Sequence, residues 1–445
     1  MNVILILAVC ALSTCFIWSI SSDRAGPVAL SLASLLVGAP LLIRSIQREP
    51  VLNRLLFPIL AWQVCLVVFH LVWLVPFYAQ AGIDALSYHQ HAVHLAGQMR
   101  GGEWRSIPYG IGNMAVVLPT ALLYAIFGPA FQAMFLVSAM VGLGGAILLY
   151  RAFAMWQPAG RCRLYALILF FLPSLGVWRT LYGKDSLVML GLGLACYGYS
   201  AWLARHRGAD LGKTCVGVVG LVLVRPHVGF MVATALVATE LWRRGDRKRG
   251  FLIRHAAAAL LFLLAFAWFG QVAKTYVSLK EDSLEGMLEV GIANGRGNAV
   301  GGSVLANPDL HGLMDYMRFL PEGLVRLFLR PFPWEAHNAN AWLAALENVF
   351  LVMFMLRSLL LWPSLLRNLR RQPYCLFSLM MMLQLMLAFS LLTNLGLVSR
   401  MKAQIYPFLL TLVVASPKWS GPGATVETRR RQASWVARPE AVLAR

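Results

Sequence analysis

Charge, and acidic charge above all, is in short supply. The 445 residues include 19 Asp and Glu, and charged residues make up 13% of the chain against 59% hydrophobic. A soluble protein has about 25% charged and about 45 to 50% apolar residues. The shortage excludes a chain built of ordinary soluble domains, because the apolar excess has to face lipid. Cysteine is sparse too. The seven, at 10, 15, 65, 162, 196, 215 and 375, fall in apolar runs or on the side assigned below to the cytoplasm, which leaves the outer loops without a disulfide. No Cys/His spacing suits structural zinc, and no internal repeat suggests the inverted halves of a transporter. Residues 1–15 lack a charged start and a good cleavage pattern, so they read as a retained first helix rather than a signal peptide.

Apolar sequence is what the chain has in abundance. Runs approaching the roughly 20 residues of a spanning helix recur at 3–20, 28–43, 55–78, 131–150, 164–177, 187–204, 214–224, 228–242, 255–269, 343–362, 374–393 and 403–414. They predict an all-α fold, a polytopic transmembrane helical bundle of about 12 spans forming a single transmembrane domain over 1–445. The net charge of +20 invites a nucleic-acid reading, but its distribution points elsewhere. Segments 44–54, 151–163, 205–213, 243–254 and 363–373, with the basic tail 418–445, carry 24 of the 39 Lys and Arg and only 5 acids, or 6 with Glu240 just before 243–254. By the positive-inside rule these segments and both termini are cytoplasmic. Their cations set orientation and meet anionic membrane lipids, with no nucleic acid implied.

Two long segments interrupt the spans on the periplasmic side. In the first loop, 79–130, residues 80–113 are too polar to span. Met114–Phe127 covers about 21 Å against a core of about 30 Å, and reads as an interfacial helix. The second loop, 270–342, joins a charged stretch (280–289), a glycine-rich one (291–303), a helix-like one (320–329) and Arg330-Pro-Phe-Pro-Trp-Glu335. Its prolines exclude a regular helix at 331–333. Such a loop is long enough to cap a cavity and too short for a catalytic domain. Chemistry must therefore lie between loops and helix ends.

In Asp84-Ala-Leu-Ser-Tyr88-His89-Gln-His91, the residues Asp84, Tyr88 and His91 fall at i, i+4 and i+7 of a helix, on one face. Asp84 is there either a general base beside imidazoles or a helix cap. The turn before Asp185 offers Arg179 and Lys184 to a phosphate, or Lys184 to a local ion pair with Asp185. Arg225-Pro226-His227 splits two short spans and sets a cation and an irregular backbone near membrane depth. That combination marks a cavity, unless Arg225 snorkels or pairs with an acid such as Asp185. Residues 394–402 join the last two spans and bring Arg400 and Lys402 to the bilayer, as phosphate ligands or as anchors. In the second loop Arg330 and Trp334 flank the prolines, with Trp334 stacking on a sugar or joining an aromatic belt.

The pattern Asp84-x-x-x-Tyr88-x-x-x-Ala92-x-x-Leu95, then Gly102-Glu-Trp104, then Leu123-Tyr-Ala-Ile-Phe127-Gly128 before a span, resembles the first outer loop of the GT-C membrane glycosyltransferases. It is nearest the branch of protein mannosyltransferases and lipid A aminoarabinose transferases. The stretches 173–185, 225–227, 330–335 and 394–400 resemble membrane proteins of bacterial exopolysaccharide and O-antigen clusters, some presumed repeat-unit polymerases. The resemblance implies GT-C-like periplasmic loops, a donor of the undecaprenyl-phosphate-sugar type, a carbohydrate or glycoconjugate acceptor, and other polysaccharide-assembly proteins as partners. Asp84, Arg225 and Arg400 are the expected catalytic residues. Tyr88, His91, Arg179, Lys184, His227, Arg330, Trp334 and Lys402 are the expected substrate contacts, with no metal or cofactor assigned. Two readings compete: a repeat-unit polymerase whose arginines carry the chemistry, and a transporter or flippase of lipid-linked oligosaccharide.

Overall fold

A computed structural model describes residues 13–15, 17–21, 25–78, 83–108, 110–242, 313–336, 339–359, 362–363, 366, 369, 372–392 and 394–415. Helices account for the regular structure among them. In chain order they are α1 (Ala25–Gln47), α2 (Pro50–Arg54), α3 (Leu56–Tyr78, including a π-helical turn at His70–Leu74), α4 (Asp84–Arg100) and α5 (Met114–Phe127). There follow α6 (Phe131–Ala154), α7 (Ala159–Phe171), α8 (Pro173–Thr180), α9 (Lys184–Arg205), α10 (Gly208–Val224) and α11 (Pro226–Trp242). After a gap in the described chain come α12 (Leu313–Leu329), α13 (Ala339–Leu359), α14 (Pro373–Phe389) and α15 (Leu395–Val414).

Among the described residues six helices, α1, α3, α6, α9, α13 and α15, are long and apolar enough to cross a membrane, and α7 with α8 makes a seventh if the bent pair is one crossing. The chain is thus a helical protein with several potential membrane spans. Helices α1, α3 and α13 turn Leu36, Val37, Val72, Trp73, Leu346 and Met353 outward, a surface that lipid solvates and water does not. Helices α10, α11 and α14 have 17 residues each, about 26 Å of rise. The expected span at 255–269 lies outside the described residues, as do most of 3–20, the stretch 270–312 of the second loop, and the tail 418–445.

Two expectations need correction. The run 164–177 is not one straight helix: it bends by 57° between α7 and α8. Pro173 sits in the first turn of α8, where its missing N–H forgoes no hydrogen bond within the helix. Arg179 then folds back, donating from Nη1 to Leu169 O (3.1 Å) and from Nη2 to Phe170 O (3.0 Å) and Gln63 Oε1 (2.9 Å). These bonds satisfy carbonyls that the end of α7 leaves open. The segment 394–402, expected as a connection, is the opening of α15. Asn394 caps it by accepting from Gly396 N (2.9 Å) and Leu397 N (3.2 Å), which starts the helix two turns before its apolar run.

The centre of the bundle is α6, α9 and α10, which meet backbone to backbone. A Cβ on Gly145 would stand 2.4 Å from Met189 O, one on Gly193 2.5 Å from Gly145 O, and one on Gly217 2.4 Å from Ala195 N. Small residues at such crossings let helices approach where water gives no hydrophobic drive between them. Helix α9 is thereby fixed along its length, and with it the position of its first turn. Towards its other end, Asp210 is held by Lys213 (2.6 Å) and Arg205 (3.2 Å).

Candidate functional site

The first turn of α9 carries the residue around which the site is organised. Asp185 is 6% exposed, a buried carboxylate that is costly to hold without partners. It has two: Arg225 Nη2 donates to Oδ1 at 2.8 Å, and Arg400 Nε donates to Oδ2 at 2.5 Å. Arg225 occupies the break between α10 and α11, with extended backbone, because Pro226 opens the next helix. Its other terminal nitrogen lies 3.2 Å from Met401 Sδ. Arg400 comes from the second turn of α15, lies over the Trp178 ring of α8 at 5.9 Å, and reaches on to Asp84 Oδ2 at 2.7 Å. Trp178 in turn donates to Ser399 Oγ (3.4 Å).

Four elements distant in sequence therefore converge in one chain of ions, Asp84–Arg400–Asp185–Arg225. Lys184 stands beside it, half-buried and within electrostatic reach of both arginines and both carboxylates. Its ammonium makes no hydrogen bond or ion pair with another described residue. Three cations against two carboxylates leave the cluster one positive charge in excess. The loop before α5 folds over this end of the bundle: Gly112 N donates to Leu223 O at 2.8 Å, and a Cβ on Gly112 would lie 3.8 Å from Lys184 Nζ.

Tyr88 is buried on α4 among the same charges. Burial, reinforced by the Asp84 carboxylate, pushes its phenol up, so the hydroxyl keeps its proton and remains a donor. His227 is two residues past Arg225 and within reach of Arg225 and Lys184. Its side chain is exposed.

The expected face of Asp84, Tyr88 and His91 divides. The buried face of α4 runs through Ala85, Tyr88, Ala92 and Leu95, while Asp84 is 52% exposed and His91 is exposed, bonded to Ser87 O at 2.8 Å. Asp84 does not cap α4: the N-cap is Ile83, and no side chain bonds the free N–H groups. Lys184 and Asp185 are not a local pair, since Asp185 is committed to the two arginines. Arg179, expected to meet a phosphate, is enclosed, and its two terminal nitrogens donate to Leu169 O, Phe170 O and Gln63 Oε1.

Lys402, two residues beyond Arg400, faces a second buried network instead. Its ammonium donates to Asn348 Oδ1 (2.8 Å) and Arg330 O (3.1 Å). Next to Asn348, Glu347 accepts from Ser174 N (2.9 Å) and from the Ser174 hydroxyl. Arg330 and Trp334 belong to this second region. Sequence reasoning passed over Asp185 as the hub, Trp178 beneath Arg400 and Glu347 against Ser174. For Asp185 the available signal was an acid in the first turn of an apolar helix; for Trp178 and Glu347 there was none. No group of three or more His, Cys, Asp or Glu suited to a metal ion occurs among the described residues.

No protein-family profile matches this chain, and neither a curated protein nor a solved structure matches it.

Proposed function

We propose that the protein is a GT-C-like membrane glycosyltransferase that uses a polyprenyl-(di)phosphate sugar donor in the assembly of bacterial cell-surface polysaccharide or glycoconjugate. In this reading the bundle has about 12 spans, as the apolar runs suggest, and lies in the bacterial inner membrane. Both termini are cytoplasmic, and the ion cluster opens to the periplasm between GT-C-like loops.

One observation carries the proposal: three cations and two carboxylates meet at one end of an apolar bundle, with the ammonium of Lys184 unpaired. A charge excess held at helix ends fits a phosphate that enters with its lipid along the membrane boundary. Arg225, Arg400 and Lys184 meet the phosphate oxygens and stabilise the charge that grows on them as the bond to the anomeric carbon breaks. The acceptor hydroxyl forms the new bond to that carbon, and its proton passes to Asp84. The phosphate departs with the bonding electron pair and needs no general acid. Tyr88 and His227 border the same space as hydrogen-bonding groups.

A repeat-unit polymerase is the second reading, favoured by the pairing of Asp84 with Arg400, which ties up the carboxylate and leaves the arginines as the active groups. The test is transfer by purified protein from a lipid-linked donor. Arg225→Ala should lose donor binding and turnover together, because the phosphate charge it meets exists in both ground and transition states. Normal product from Arg225→Ala would refute a role in transfer. Protein that moves the carrier across liposomes without cleaving it would instead be a flippase. Sidedness is checked by Glu103→Cys in a cysteine-free background, which should react with an impermeant thiol reagent from the periplasm.

A further inference from the structure

The loop after α12 presents an aromatic surface that the ion cluster does not use. Neighbouring helices hold its backbone in place. Asn348 Nδ2 of α13 donates to Leu329 O (3.2 Å) and Pro331 O (3.3 Å), and Lys402 of α15 donates to Arg330 O (3.1 Å). The loop also closes on itself: Phe332 N donates to Glu335 Oε2 (3.0 Å), and Arg330 Nη2 pairs with Glu335 Oε1 (3.3 Å). A backbone tied at so many points has little freedom left to lose when something binds to it.

On this frame Phe332 and Trp334 stack, ring centroids 4.8 Å apart and planes inclined by 10°. The Arg330 guanidinium lies over the Phe332 ring at 5.8 Å. Phe332 covers one face of the indole and leaves the other open, and Trp334 is 78% exposed, the most exposed large apolar side chain among the described residues. Burying that indole inside the loop would be favourable, and the fixed backbone holds it outward instead.

We propose that Trp334 is the platform on which a pyranose ring of the acceptor stacks, with Arg330 and Glu335 bonding its hydroxyls. This rests on the transferase reading above and names the acceptor class as a saccharide. One face of a pyranose is a patch of C–H groups with slight positive charge, complementary to the negative face of an indole. Its rim is hydroxyls that both donate and accept, matched here by guanidinium donors and carboxylate acceptors. Arg330 and Glu335 together carry no net charge, which suits a neutral polyhydroxyl ring and offers nothing to an anionic lipid head. The platform is also anchored to the ion cluster, since Lys402, which holds the loop, follows Arg400 by two residues on α15.

Saturation-transfer NMR on the full chain in detergent tests this, with a panel of neutral hexasaccharides (α-1,4-glucan, β-1,4-glucan and α-mannan) as the probe. Wild type and Trp334→Phe should transfer magnetisation to ring C–H protons of at least one saccharide. Trp334→Ala should bind it about five- to tenfold more weakly, the range expected for loss of one aromatic stacking partner. Inorganic pyrophosphate binding, measured on the same samples, should be equal in wild type and Trp334→Ala. Absence of saccharide contact in wild type, or equal contact in Trp334→Ala, overturns the platform. A fall in tryptophan quenching by brominated lipid in nanodiscs on going from wild type to Trp334→Phe would assign the indole to the bilayer and overturn it as well. Pyrophosphate binding without saccharide binding removes the platform alone. Trp334-dependent saccharide binding without pyrophosphate binding removes the donor site alone.

Discussion

Replacing Asp84 by Asn should move donor affinity and turnover in opposite directions. Without a donor, Asp84 shares Arg400 with Asp185, at 2.7 Å and 2.5 Å respectively. A phosphate arriving at Arg400 has to displace one of them, and Asp84 is the weaker holder because it is 52% exposed where Asp185 is 6% exposed. An ion pair open to water on one side is worth about 0.5 to 1 kcal/mol. Removing the Asp84 charge should therefore tighten pyrophosphate binding by about two- to fivefold, since 1.4 kcal/mol corresponds to a factor of ten. The same substitution removes the base, which is typically worth about 10² to 10⁴ in rate. In the proposed reaction, donor binding would free the base: the phosphate would take Arg400, and the released carboxylate could accept a proton. Isothermal titration with pyrophosphate and turnover with a lipid-linked donor read the two effects separately. Weaker pyrophosphate binding in Asp84→Asn would refute the competition. Turnover within about threefold of wild type would refute the base and move the polymerase reading ahead.

Asp185→Asn should be the most destabilising change in the cluster, by about 3 to 5 kcal/mol, because two buried guanidinium groups lose their shared counter-charge. Thermal unfolding in detergent measures this, and millimolar pyrophosphate should restore part of the loss by supplying the missing negative charge. Lys184→Gln should weaken pyrophosphate binding and leave the unfolding temperature within about 2 °C of wild type, since its ammonium has no partner to lose. Burial holds the pKa of His89 below its usual value, where its Nδ1 meets the Tyr124 hydroxyl at 2.9 Å. Its contribution to stability is complete above the unfolded-state pKa of about 6.5 and is lost as pH falls through the depressed folded value. The unfolding temperature should decline below about pH 6.5, and His89→Phe should flatten that decline.

Helix positions were legible because lipid demands long apolar runs, and the runs at 28–43, 55–78, 131–150 and 187–204 each lie within a helix or extend it by a residue. What composition did not disclose was how a helix ends. Neither the bend at Pro173 nor the early start of α15 at Asn394 appears in a hydropathy pattern, since both depend on which backbone groups find partners. The site was legible in its members and not in its bonds. Arg225 and Arg400 stood out as cations at apolar depth, and both are in the cluster. Asp185 was visible only as a neighbour of Lys184 or a possible mate of Arg225. That it joins α11's entry to α15 is a fact of the tertiary arrangement, set by the glycine contacts that fix α9. Arg179 misled for the same reason: nothing local distinguishes an arginine that meets a ligand from one that ties off broken-helix carbonyls.

The bend between α7 and α8 has a mechanical consequence. Helix α8 is eight residues long, fastened at its far end by Arg179 and free of the straight run of α7. Its first turn holds Glu347 through Ser174, and one turn later Trp178 lies beneath Arg400. It is a short lever with one arm at the ion cluster and the other at the helix that steadies the Trp334 loop. A continuous span would have carried a push at Arg400 along its own axis, across the membrane. The broken one sets a single short helix against both Glu347 and Arg400, so that the two polar regions share one rigid neighbour.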